Sequence, residues 1–142
     1  MTQEDKDLLL KDLCARLPYG VKVECKWKTP APNGTYGMIC KLDSFLLDQI
    51  YNMNDSDVPF DEFKPYLFPL SSMTKEQRRE YAKAQSDDGD IVFSCAIKYV
   101  ETGVNIVSAE YHAIDWLIAH HFDYRGLIEK GLALDATNEN IY

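Results

Sequence analysis

Two of the chain's three histidines, His120 and His121, are adjacent in the stretch HHFDYRG (120–126), and the third, His112, lies eight residues upstream. Asp115, Asp123 and Arg125 fall in the same neighbourhood. An imidazole titrates near neutrality, so a histidine oriented by a carboxylate can act as a general base, here with Arg125 as an anion clamp. The spacing allows His112 or His120 to pair with Asp115 or Asp123. Metal binding is the other chemistry these residues suggest. Successive helical residues point about 100° apart, so His120 and His121 cannot both reach one ion from a regular helix. The best remaining set, His112 with Asp115 or His120, lacks the convergent ligands that a motif such as H-E-x-x-H supplies. The expectation is therefore structural, with no metal and no cofactor. His121 should sit at the core edge bonded to a backbone carbonyl, and His120 should be exposed or paired with Asp123. Arg125, one of only three basic residues after position 86, should form an ion pair with Asp115, Asp123 or Glu129.

A base also needs a nucleophile or a substrate. The chain has no Gly-x-Ser-x-Gly elbow, no P-loop and no Gly-x-Gly-x-x-Gly. Its four cysteines, Cys14, Cys25, Cys40 and Cys95, include no Cys-x-x-Cys, and each lies among apolar neighbours. Buried, reduced thiols of a cytoplasmic protein are the expected reading. A different kind of site is suggested by Phe60, Phe63, Tyr66 and Phe68, interleaved with Pro59, Pro65 and Pro69. Exposed, these rings would dock a protein or peptide; buried, they would plug one side of a small sheet.

The elements that must position these groups follow from periodicity. Thr2, followed by Glu4 and Asp5, starts a helix whose Leu9, Leu10, Leu13, Cys14 and Leu17 recur at helical spacing, with Lys6, Lys11 and Asp12 opposite. Pro18 stops it. Residues 21–28 alternate apolar and polar, placing Val21, Val23, Cys25 and Trp27 on one face of a strand. An Asn-Gly turn follows, then strands over about 35–42 and 45–51. The proline-rich 58–70 reads as an irregular segment or short 3₁₀ turn laid across the sheet. Thr74-x-x-Gln77 is a capping box that opens a charged helix to about Ala84. Residues 91–99 and 104–108 read as a hairpin, and Ser108 caps a last helix to about Phe122. The sum is an α+β domain over 1–142: an N-terminal helix, a small antiparallel meander sheet or SH3-like barrel, then helix, hairpin and C-terminal helix. If it subdivides, 1–70 holds the helix and small barrel, and 71–142 the helical and hairpin part.

Composition bounds the function. The net charge is −8, and residues 87–142 hold three basic and ten acidic groups. That third would repel a phosphate backbone, which argues against nucleic acid as a partner. The near-neutral remainder keeps one basic stripe, Lys22, Lys26 and Lys28, on one side of the first strand. No apolar run approaches the ~20 residues of a membrane span, and the acidic N-terminus is not a secretory signal.

Three stretches, LCARLPYGV (13–21), KPYLFPLSSMT (64–74) and DWLIAHHFDYRGLIEKGLAL (115–134), together resemble a family of small uncharacterised proteins from Bacteroides-type gut bacteria and their phages and prophages. The resemblance implies a mobile-element accessory protein and carries no catalytic residue. The resulting expectation is a non-enzymatic, cytoplasmic protein that binds a protein partner through the aromatic segment or the acidic C-terminal part. The alternative is a small hydrolase or metal-assisted enzyme using His112, Asp115 and His120.

Overall fold

The computed structural model describes residues 1–85 and 111–142. The hairpin expected over 91–108, the cap at Ser108 and Cys95 lie outside them. Helix α1 spans Gln3–Arg16, and its start is the expected one. The Thr2 hydroxyl accepts from Asp5 N–H at 3.1 Å while the Asp5 carboxylate accepts from Thr2 N–H at 3.2 Å. A 3₁₀ turn over Leu17–Tyr19 follows, with Pro18 in its first positions. Strands β1 (Lys22–Trp27) and β2 (Gly37–Lys41) form an antiparallel hairpin.

The expected strand over 45–51 is instead a helix, α2 (Ser44–Tyr51). Asp43 caps it, accepting from Leu46 N–H at 2.7 Å, and Leu46 and Ile50 then bury one turn apart. That i, i+4 pair under an Asp cap outweighs the β-branched and aromatic content of the segment.

The proline-rich stretch is also regular. It forms β3 (Phe60–Pro69), the longest strand, antiparallel to β1. Trp27 N–H donates to Tyr36 O and Lys28 N–H to Pro59 O. Backbone groups alternate along a strand, so Lys22, Glu24 and Lys26 address β3 while their neighbours address β2. The register sets Glu24 opposite Lys64 and Val23 opposite Pro65. Glu24–Lys64 is then a bonded pair and Val23–Pro65 an unbonded one, so the Pro65 nitrogen points away from β1. The missing N–H costs that ladder no bond.

Helix α3 spans Lys75–Gln85 behind the expected capping box, with Gln77 N–H donating to Thr74 Oγ1 at 3.1 Å and Thr74 N–H to Gln77 Oε1 at 2.9 Å. Helix α4 spans Tyr111–Ala119, followed by β4 (Phe122–Asp123) and β5 (Leu134–Asp135), both parallel to β3. The strand order is β2-β1-β3-β4, with β5 also on β3. Among the described residues this is an α+β fold with a mixed five-stranded sheet in place of a meander or closed barrel, because β1 rather than β2 pairs with the third strand. α1 and α2 cover one sheet face, joining Leu9, Leu13, Leu46 and Ile50 to Val21, Val23, Cys25, Phe63 and Leu67. A second cluster centres on Tyr81, Leu117 and Phe122. Each fully buried side chain of this size contributes about 1.5–3 kcal/mol.

Candidate functional site

Helix α4 ends three residues earlier than its apolar pattern predicts, and that ending organises the histidines. His121 adopts φ +63°, the left-handed conformation, and turns the chain from helix into β4. His120 N–H bonds to Trp116 O and His121 N–H to Ile118 O as the helix closes. The His120 ring stays exposed and stacks on Trp116 with centroids 4.0 Å apart. Its Nδ1 donates to Trp116 O at 2.8 Å. A ring tied to its own helix in this way is not aimed at a carboxylate. Asp115 is partly buried, and the His112 side chain lies outside the described groups.

Of the two expectations for His120, exposure holds and pairing with Asp123 does not. Asp123 is buried, and its carboxylate accepts from Leu127 N–H at 2.9 Å and Ile128 N–H at 2.8 Å, capping the turn that follows. Arg125 reaches none of its expected partners Asp115, Asp123 or Glu129. Its Nε lies 3.3 Å from Asp12 Oδ1 without aligned hydrogen-bond geometry, and its guanidinium sits 4.7 Å above the Tyr124 ring. Asp12, expected on the polar face of α1, is fully buried in a two-pronged pair with Arg16 at 2.6 and 3.2 Å. Arg16 Nη2 also donates to Phe122 O at 2.7 Å and Nη1 to Ile118 O at 3.4 Å. Arg16 thus adds a second donor to the Ile118 carbonyl, which already accepts from His121 N–H, and supplies one to the Phe122 carbonyl. An i, i+4 Asp-Arg pair is readable in the sequence; its burial under α4 is not.

His121 packs against this group. Its ring stacks on Tyr142, centroids 4.1 Å apart and planes 11° from parallel, and its Nδ1 is buried without a hydrogen-bond partner, not bonded to a carbonyl as expected. Burial, and then the Arg16 charge, push its pKa down to about 4. Such a ring is neutral at pH 7, with its Nδ1 enclosed. Tyr142 closes the neighbouring sheet. One step past the Val23–Pro65 pair, Lys22 comes opposite Tyr66, and the Tyr142 hydroxyl bridges them. It accepts from Lys22 N–H at 3.0 Å and donates to Tyr66 O at 2.8 Å. Tyr142→Phe should cost about 1–2 kcal/mol, since it strands a donor and an acceptor together. Urea denaturation reads this, and an unshifted midpoint would show that solvent satisfies both groups.

Of the catalytic set, the His120 ring is tied to its own helix, and the His112 side chain is not among the described groups. Among the described residues no three His, Cys, Asp or Glu side chains converge to hold a metal. The described thiols are free, but Cys14 is exposed rather than buried, Cys40 is half-buried, and burial pushes Cys25 up to about 12. That makes Cys25 inert. A depression of about 480 Å³ beside the start of α1 is lined by Lys6, Lys26, Asp61 and Glu62, and Lys26 is held by Glu62 at 2.6 Å.

Of the four rings that would dock a partner or plug the sheet, two are buried and two are half-buried. Phe63 and Tyr66 are buried within β3, Phe60 stacks on Trp27, and Phe68 packs against Phe122 and Tyr142. The lysine stripe is broken too, because Lys28 donates to Asp55 O at 2.9 Å and Lys26 is neutralised.

Exposed apolar surface lies elsewhere, on β2. Tyr36 is 64% exposed, Met38 43% and Ile39 49%. Tyr36 O and the Leu42 N–H bond to β1, so by alternation Gly37, Ile39 and Lys41 turn their N–H and C=O groups to the outer edge. Among the described residues nothing pairs with that edge. Gly37 is required where it is, since a Cβ there would lie 2.6 Å from Cys25 O. The sequence signal is the absence of alternation in Tyr36–Cys40, which leaves apolar groups on both faces of an edge strand. No protein-family model, curated protein or solved structure matches this chain.

Proposed function

We propose that this protein works by binding another protein, with β2 as the contact strand, as a non-enzymatic accessory protein of phage or prophage type. The observation that carries the reading is the outward row of backbone donors and acceptors at Gly37, Ile39 and Lys41, flanked by exposed Tyr36, Met38 and Ile39. Native edge strands are normally shortened, charged or covered, because an open one templates further pairing. An apolar open edge suits strand addition, in which main-chain bonds give affinity and alternate side chains give specificity. The accessory role rests on the resemblance to mobile-element proteins. A cytoplasmic setting is supported by the free thiols Cys14, Cys25 and Cys40, and no helix among the described residues is long and apolar enough to cross a membrane.

Ile39→Pro tests the edge directly. The Ile39 N–H faces outward, so proline there removes a donor from the partner while sparing the β1–β2 ladder. Wild type and variant, matched for circular dichroism, would be used as bait against host lysate. A partner held by wild type and released by Ile39→Pro is the expected result. Equal capture by both would sink the reading.

A further inference from the structure

We infer that the segment docking on β2 is an extended strand carrying a carboxylate, with Lys41 and Lys22 as its counter-charges; this rests on the strand-addition reading above. The solvent-facing side of the sheet is charged, and its charges pair off except at one end. Lys26 lies 2.6 Å from Glu62 and 3.8 Å from Glu24, and Lys64 lies 3.0 Å from Glu62. Those four side chains sum to zero. Lys22 and Lys41, directly opposite each other across β1 and β2, have no acidic partner among the described residues. Like charges facing across a ladder are destabilising. The exposed Lys41 side chain lies beside Gly20, where a Cβ would come 2.7 Å from its Cε.

An added strand repairs that defect if it brings an acid opposite Lys41. Side chains two apart share a face, so an antiparallel segment would present an acid at Lys41, an apolar residue at Ile39 two positions later, and a large side chain over Gly37 two further on. A second copy of β2 does not fit. Self-paired about Ile39, it would set Lys41 opposite Gly37 and add a further lysine with no carboxylate.

The probe is a fluorescein-labelled, C-terminally amidated peptide, Thr-Glu-Thr-Val-Thr-Phe-Thr, titrated against the full chain by fluorescence anisotropy. Saturable binding is expected, weakened about fivefold when the peptide's Glu becomes Lys. Lys41→Glu should reverse that preference. N-methylation of the peptide's Val, which blocks the bond to Ile39 O, should abolish binding without touching the protein. Binding that needs the free amide but ignores the Glu-to-Lys exchange would overturn the acidic partner and leave strand addition standing. No binding of either peptide, or binding indifferent to N-methylation, would overturn both, and would make Lys41 a guard against pairing. Slow hydrogen exchange at the Ile39 amide in the protein alone would overturn both as well. A dimer in sedimentation velocity that Ile39→Pro dissociates would place a second copy on the edge, against the inference.

Discussion

Arg16→Met is expected to destabilise the protein by about 3–5 kcal/mol, the cost of stranding one partner of a buried ion pair. For a chain of this size that is a fall of roughly 10–20 °C in Tm. The magnitude follows from what the guanidinium holds. Asp12 is fully buried and takes two bonds from it, and the carbonyls of Ile118 and Phe122 take two more. Methionine fills similar volume but donates nothing, so the Asp12 carboxylate and the Phe122 carbonyl lose their Arg16 donors together, while Ile118 O keeps the His121 N–H. Arg125, 3.3 Å from Asp12 and partly exposed, retains some of the Coulomb attraction but lacks the alignment to replace the bonds. Asp12→Leu combined with Arg16→Met should recover much of the loss, because an apolar pair removes the buried charge altogether. Guanidinium denaturation of both variants checks this. A single variant costing less than about 1 kcal/mol, the worth of an exposed pair, would mean that Asp12 and Arg16 are hydrated and do not clamp α1 to the end of α4.

The same clamp shows why some of the molecule is legible in the sequence and some is not. α1, β1 and the start of α3 are set by local rules, namely a capping box, an eight-residue alternation and a second capping box, and they form where those rules place them. The departures are places where a neighbour overrides local preference. β3 accepts Pro65 because of which edge β1 occupies, a fact of register absent from residues 60–69 alone. α2 replaces the expected strand because the Asp43 cap prevails over the aromatic and β-branched residues after it. Asp12 and Arg16 are ordinary helix-surface residues until α4 and β4 cover them. The HHFDYRG stretch reads correctly as a helix end. Its termination by a left-handed His121, and the stacking of that ring on the distant Tyr142, depend on contacts that no spacing encodes. The β2 edge, unpaired among the described residues, is hidden in the sequence for a related reason. Its exposure depends on where the other described elements lie.

Acidification should weaken the fold well above the range in which carboxylates titrate, and His121 is the reason. Burial and Arg16 hold its pKa at about 4 in the native state, against 6.5 for an unperturbed ring. Between those values the unfolded chain binds a proton that the native chain refuses, so stability rises with pH there. His121's contribution is complete above about pH 6.5 and is lost as pH falls towards 4. From pH 7 to 5 the loss is at most about 2 kcal/mol, approaching ~3 kcal/mol at pH 4, and solvent reaching the open side of the ring trims both figures. Glu62 and Asp5, whose pKa values are lowered by Lys26 and Thr2 respectively, add their own losses only below the ordinary carboxylate range. Among the described groups whose pKa is shifted, the interval from about 6.5 to 5 therefore belongs to this histidine. His121→Asn isolates it, because asparagine accepts the left-handed backbone at φ +63° and does not titrate. The variant should give a flat stability profile over that interval by urea denaturation, while wild type slopes. A slope common to both proteins would place the proton uptake elsewhere. A flat variant profile would tie the neutral His121 ring, its Nδ1 enclosed, to the stability of the turn into β4.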